Sequence, residues 1–181
     1  MRILLLIIIS ITFAFSLSKE DVYNAYKDKR FKDACYLAAK IYLNYKKDDN
    51  FLTLFADSCL KVDNINRMAF PAMLLVNTPA SRSNSIYFLT ILYQKKLLYK
   101  ALIDGFDLSG YKFPTTNYIL SKIFVKYANG EYKKDGDRYI FVDKSEPEKR
   151  YELSISKSGD VFKLVLKTFL KGKLVKKRVY W

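Results

Sequence analysis

The clearest signal along the chain is an apolar stripe at helical spacing. Phe31, Ala34, Cys35, Ala38, Ile41, Tyr42 and Tyr45 share one face of a helix that starts near Arg30. Ahead of it, Ser18 followed by Asp21 marks the start of a first helix running to about Lys29. Lys46 to Asn50 is a charged turn, after which Phe51, Leu52, Phe55, Ala56, Cys59 and Leu60 predict a third helix. Asp63-Asn64 breaks it. Ile65 to Val76 predicts a fourth, with Pro71 either kinking it or marking its true start. Asn77 to Pro79 and Ser81 to Ser85 form the longest polar break. Ser85 to about Asp104 then reads as one or two helices stopped by Gly105. Thr115 or Thr116 caps a last helix, where Ile119, Leu120, Ile123, Phe124 and Tyr127 share a face, and Asn129-Gly130 ends it.

After Gly130 the period changes from helical to alternating. Asp135-Gly136, Ser158-Gly159-Asp160 and Lys171-Gly172-Lys173 are turn signals between alternating runs. In the run Tyr139 to Asp143, Tyr139, Phe141 and Asp143 alternate with the apolar Ile140 and Val142, so it predicts a strand covered on both faces. The runs from Tyr151 and from Phe162 predict strands with one buried face. Short turns between strands imply an antiparallel meander of three to four strands, one face packed on the last helix. The fold class is therefore α+β: residues 19–130 form helical hairpins and 131–181 an antiparallel β-meander.

The first 18 residues carry a different pattern. Arg2 precedes the apolar run Ile3 to Phe15, and small residues offer a cleavage position near Ser16 or Ser18. That order is the mark of a secretory signal peptide, and a run of 13 residues, interrupted only by Ser10 and Thr12, falls short of the roughly 20 that a spanning helix needs. An uncleaved anchor is the alternative. No later segment is long and apolar enough to span a bilayer. Export to the periplasm or cell envelope is the expectation. In an oxidising compartment Cys35 and Cys59 are either a disulfide or two small buried residues, and the sequence leaves both open.

The helical spacing also repeats. Tyr26, Phe31 and Ala34 return at the same spacing as Tyr93, Leu98 and Ala101. Cys59, Ile65, Met68 and Ala72 stand 34 positions after Ala25, Phe31, Ala34 and Ala38. The pattern Tyr26-x4-Phe31-x2-Ala34-x3-Ala38 resembles a tetratricopeptide or Sel1-like repeat, with Lys29 or Arg30 where that family favours glycine. The resemblance covers about residues 22 to 105, and a compact helical bundle is the rival architecture. It implies a protein-binding scaffold that holds a partner segment in a groove formed by the first helix of each pair, with Asn24, Lys27 and Tyr93 near that surface.

Charge adds a second candidate surface. The chain has 32 basic and 18 acidic residues, a formal net charge of +14, so its field favours anionic partners. Among residues 130–181 there are 14 basic and 8 acidic residues. Lys171, Lys173, Lys176, Lys177 and Arg178 stand close to Tyr180 and Trp181. Basic residues beside aromatics suit an anionic polymer or membrane surface, and export disfavours nucleic acid. The competing reading is a solvated sheet face whose edge lysines block aggregation.

Chemistry is scarce. The chain has no histidine, which removes Ser-His-Asp and Cys-His nucleophiles and His-based metal sites, and two cysteines cannot build a four-thiolate zinc site. The carboxylate pairs Asp135 with Asp137 and Glu146 with Glu148 sit in lysine-rich turns where solvation is the ordinary explanation. The expectation is a non-enzymatic envelope protein without a cofactor that binds a partner protein through its helices. The alternative is an adaptor that binds an anionic polymer or membrane surface through its sheet.

Overall fold

The computed structural model describes residues 17–143 and 145–181. The apolar run Ile3 to Phe15 and the cleavage position at Ser16 lie outside the described residues. Among the described residues six α-helices precede a five-stranded sheet, so the fold is α+β. The helices are α1 (Lys19–Lys27), α2 (Phe31–Ile41), α3 (Asp49–Lys61), α4 (Ile65–Leu74), α5 (Pro79–Asp104) and α6 (Ile119–Ala128).

Local chemistry explains most of their ends. Ser18 and Asp21 form a capping box at α1, satisfying two otherwise orphan backbone donors. Lys29 then takes φ +60 in the turn to α2, the left-handed position that glycine would fill at no steric cost. The stripe that predicts one helix as far as Tyr45 changes after Ile41 to a 3-10 turn over Tyr42–Tyr45. That tightening sets the Tyr45 ring 4.9 Å from Phe51. Asp48 caps α3 by accepting from the Phe51 N–H. Pro71 lies inside α4, so the proline does not mark the start of that helix.

Two helix boundaries differ from expectation. The serines of the polar break form the first turns of α5, a single helix of 26 residues. Thr78 caps it, Pro79 fills its first turn and Ser81 completes a capping box. Small hydroxyl residues also suit close helix packing here, since the Ser85 hydroxyl donates to the Ala72 carbonyl of α4 at 2.7 Å. At α6 the cap position is Tyr118, with no side-chain cap bond. Ser121 instead accepts from the Thr116 N–H at 2.8 Å.

The strands β1 (Lys133–Asp135), β2 (Arg138–Val142), β3 (Lys149–Ser158), β4 (Val161–Leu170) and β5 (Lys173–Tyr180) lie in chain order, all antiparallel. The sheet therefore has five strands where the sequence predicts three to four. The addition is β1, a polar segment without alternation that pairs only because the turn at Gly136 brings Asp135 opposite Arg138. One face of the sheet buries Phe141, Tyr151, Leu153, Leu164, Leu166 and Tyr180 in the core shared with the helices. Val142 points to the other face and stays half exposed, so β2 is not covered on both sides.

The sheet docks chiefly through α5 rather than through the last helix. At about 1.5 Å per residue α5 is roughly 39 Å long, and its C-terminal half reaches the sheet. Tyr99 donates to the Tyr180 carbonyl at 2.8 Å and accepts from the Leu164 N–H at 3.2 Å. Lys95, only 1% exposed, donates to the Trp181 main-chain oxygen at 2.8 Å and to Asn66 at 2.7 Å. Asp63, left-handed just after α3, accepts from Tyr118 at 2.5 Å and pairs with Arg178 at 3.4 Å. A belt of buried polar contacts thus fixes the sheet on the helices.

Candidate functional site

Helices α1 and α3 are the first helices of two successive pairs, α1/α2 and α3/α4, and the N-terminal half of α5 follows beside them. Between them runs a groove of about 570 Å³. Tyr23 and Tyr26, one turn apart on α1, line it together with Asn50, Thr53 and Asp57 of α3 and Asn84 and Tyr87 of α5. Leu54 and Phe88 add apolar surface. Asn24, Lys27 and Tyr93, which the repeat pattern places near such a surface, do not line it. The groove is walled on α1 by Tyr23 and Tyr26 alone, and Tyr93, 55% exposed, lies past it in the second half of α5.

The polar groups of the groove are oriented. Tyr26 donates to Asp57 at 2.5 Å, and burial together with that carboxylate pushes its hydroxyl up to about 12. Lys61 approaches the same carboxylate at 3.4 Å. Tyr87 donates to Asn117 at 2.8 Å, and Asn84 to the Thr53 hydroxyl at 3.3 Å. Asn77 donates to one oxygen of Asp49 at 2.8 Å, while Asp49 Oδ2 is buried with no hydrogen-bond partner among the described residues. The lining includes Asp49 and Asp57 and no lysine or arginine. In a chain of net charge +14 this groove is a local reversal of sign.

The basic residues near the C-terminal strand do not form one patch. Lys171 sits in the β4–β5 turn and pairs with Glu148 at 3.4 Å. Lys173, Lys176 and Lys177 are exposed along β5. Arg178 turns inward, because it shares a sheet face with Tyr180 and meets Asp63 there. Trp181 is 70% exposed but stands at the opposite end of β5 from Lys173, its main chain held by Lys95.

Sequence reasoning missed two features. Glu152 occupies an apparently solvated alternate position, yet it is 6% exposed on the outer sheet face. Arg150 at 3.0 Å and Arg138 at 3.9 Å hold it, and Lys167 lies opposite in register. Nothing local in the sequence signals that cluster, since register brings it together. Lys95 was legible in principle: it lies four residues after Ile91 and three before Leu98, on the buried face of α5.

Cys35 of α2 and Cys59 of α3 are joined by a disulfide, with their Cα atoms 4.9 Å apart. The turn carboxylates are ion-paired: Asp135 with Arg138, Glu146 with Lys149 and Glu148 with Lys171. Among the described residues no group of three or more Cys, Asp or Glu is placed to hold a metal ion, and no helix is long and apolar enough to cross a membrane. Comparison with known proteins finds no matching family model, no matching curated protein and no matching solved structure.

Proposed function

We propose that the protein is an exported, non-enzymatic scaffold of the bacterial cell envelope that holds an extended segment of a partner protein in the groove of α1, α3 and α5. The observation that carries this reading is the groove itself, open along three parallel walls and lined by oriented hydroxyl, amide and carboxylate groups. Aromatic rings supply contact area at little entropic cost, and oriented amides suit the alternating donors and acceptors of an extended backbone. The carboxylates of Asp49 and Asp57 in the lining favour a partner segment that carries lysine or arginine.

Photo-crosslinking in living cells tests it. A photoreactive residue in place of Asn50 or Asn84 is expected to trap one protein adduct, and the same residue at Lys27 or Tyr93 is not. Equal trapping at all four positions, or none at the groove positions, overturns the reading.

The same proposal predicts removal of the leader after Ser16. Ser18 closes the capping box of α1 and Leu17 packs against the core. Cleavage after Ser18 would remove both, and loss of such a cap costs about 1 kcal/mol. Cleavage after Ser16 keeps them. The intact mass of the exported chain should correspond to a first residue of Leu17; a chain beginning at Lys19 would show that the cap is dispensable.

A further inference from the structure

We propose that the β4–β5 hairpin tip docks the protein on an anionic lipid bilayer. This surface is separate from the groove and does not depend on what the groove holds. The tip is a two-residue turn, Lys171-Gly172, with both residues at positive φ, +50 and +77. Asparagine or glycine adopts the first of these positions easily, and lysine does so only with strain, so a charge sits at the apex where backbone preference argues against it. Support comes from below: the Lys171 N–H donates to the Glu148 carbonyl at 2.9 Å.

Apolar side chains surround that apex. Leu170, Leu174 and Val175 are 41, 51 and 57% exposed. Leu174 pairs with Phe169 and Lys176 with Thr168, which leaves Val175 as an extra residue at a bulge on the edge strand. Lys173, Lys176 and Lys177 flank these three residues and form no ion pair among the described residues. The neighbouring acids are already occupied, Glu146 by Lys149 and Glu148 by Lys171. Further in on the outer face, Arg150 lies over Phe169 with 4.7 Å between guanidinium and ring centroid, and Lys167 and Lys177 are partners in register.

Two simpler readings account for only part of this arrangement. Edge lysines that prevent aggregation explain the charges but not an exposed Leu-Val pair on the same edge. A soluble polyanion would use the lysines and gain nothing from Leu170, Leu174 and Val175. The one exposed tryptophan, Trp181, stands at the far end of β5, so no aromatic platform for stacked bases accompanies the basic tip. An anionic bilayer uses both components: short apolar side chains enter the interface while lysine stems lie along it with their ammonium groups among the head groups.

Co-sedimentation of the purified leaderless chain with vesicles tests the assignment. Binding to vesicles containing phosphatidylglycerol, and not to pure phosphatidylcholine, is the expected result. Each of Lys173→Glu, Lys176→Glu and Lys177→Glu should weaken it at least about fivefold, the worth of one basic residue near an anionic surface. The double variant Leu174→Ser/Val175→Ser, whose charge is unchanged, should weaken vesicle binding while leaving binding to heparin as it was. Because all five positions are exposed, an unchanged circular dichroism spectrum confirms the fold of each variant. Equal binding to both vesicle types overturns the proposal. So does full retention of vesicle binding in Leu174→Ser/Val175→Ser, which would leave only a general attraction for polyanions.

Discussion

Removing the Cys35–Cys59 bridge is expected to lower unfolding stability by about 3–4 kcal/mol. The bridged residues are 24 apart in sequence. Closing a loop of that length removes about 12 cal/mol/K of entropy from the unfolded chain, which is worth roughly 3.5 kcal/mol at 25 °C. Both cysteines are buried, and alanine at each leaves only a small void, so Cys35→Ala/Cys59→Ala should report the cross-link with little packing penalty. The comparison is denaturant unfolding of the oxidised chain, the reduced chain and the double variant. The last two should share one lowered midpoint. An oxidised chain that unfolds with the reduced one would mean that no cross-link forms. The loss bears on the groove as well, because α2 is bridged to α3 and carries α1 against it. In the reduced chain the α1/α2 hairpin keeps only its backbone link to α3, and hydrogen exchange should rise first around Tyr23 and Tyr26, the α1 wall of the groove.

Most of the fold could be read from the chain because of the kind of signal each element carries, whereas the cysteine pair was equally readable as a bridge or as two buried thiols. The helical stripes of α2, α3 and α6 are local and strongly periodic, and each ends within a few residues of where that pattern places it. Composition misplaced the start of α5. Ser81 to Ser85 looks like a loop, yet Thr78, Pro79 and Ser81 form a better cap than a break, and the serines pack closely on α4. Strand β1 had no hydrophobic signal, because a turn and a neighbouring strand hold it in place rather than burial. The groove was legible only as an architecture. A repeat of antiparallel pairs implies that first helices line up, but which of Tyr23, Asn24, Tyr26 and Lys27 faces inward depends on the rotation of α1, which packing of Val22 and Ala25 decides. The basic segment was legible as a charge count and not as a surface. Strand alternation separates Arg178 from Lys177, and the ladder carries Trp181 away from Lys173.

The pH dependence of stability should be dominated by Lys95 on the mildly alkaline side. Burial between α5 and the last strand, with Lys96 nearby, pushes its ammonium from the ordinary 10.5 to about 8. Its hydrogen-bond partners are the Asn66 side-chain oxygen and the Trp181 main-chain oxygen. Between pH 8 and about 10.4 the unfolded chain therefore binds more protons at this residue than the folded chain. Stability rises with pH wherever that is so, and the gain from this residue between pH 7 and 10 amounts to about 2–3 kcal/mol. Above about pH 9.5 the sign reverses. Burial raises the hydroxyls of Tyr26, Tyr118, Tyr127 and Tyr180, so the folded chain then holds protons that the unfolded chain releases. The wild-type curve should peak at about pH 9.5. In Lys95→Met, which keeps the buried aliphatic stem and removes the ammonium, the rise between pH 7 and about 9.5 should vanish while the fall at higher pH remains. At pH 7 two opposing changes meet in this variant: the penalty on a buried charge disappears, and Asn66 and Trp181 lose a donor. The donation from Asn66 to the Trp181 oxygen at 2.5 Å survives, so the first change should prevail and raise stability by about 1–2 kcal/mol. A variant curve that still climbs from pH 7 to about 9.5 would place the titrating group elsewhere. A large loss of stability at pH 7 would show that Lys95 is the lock that holds the last strand on α5, worth more than its ionisation costs.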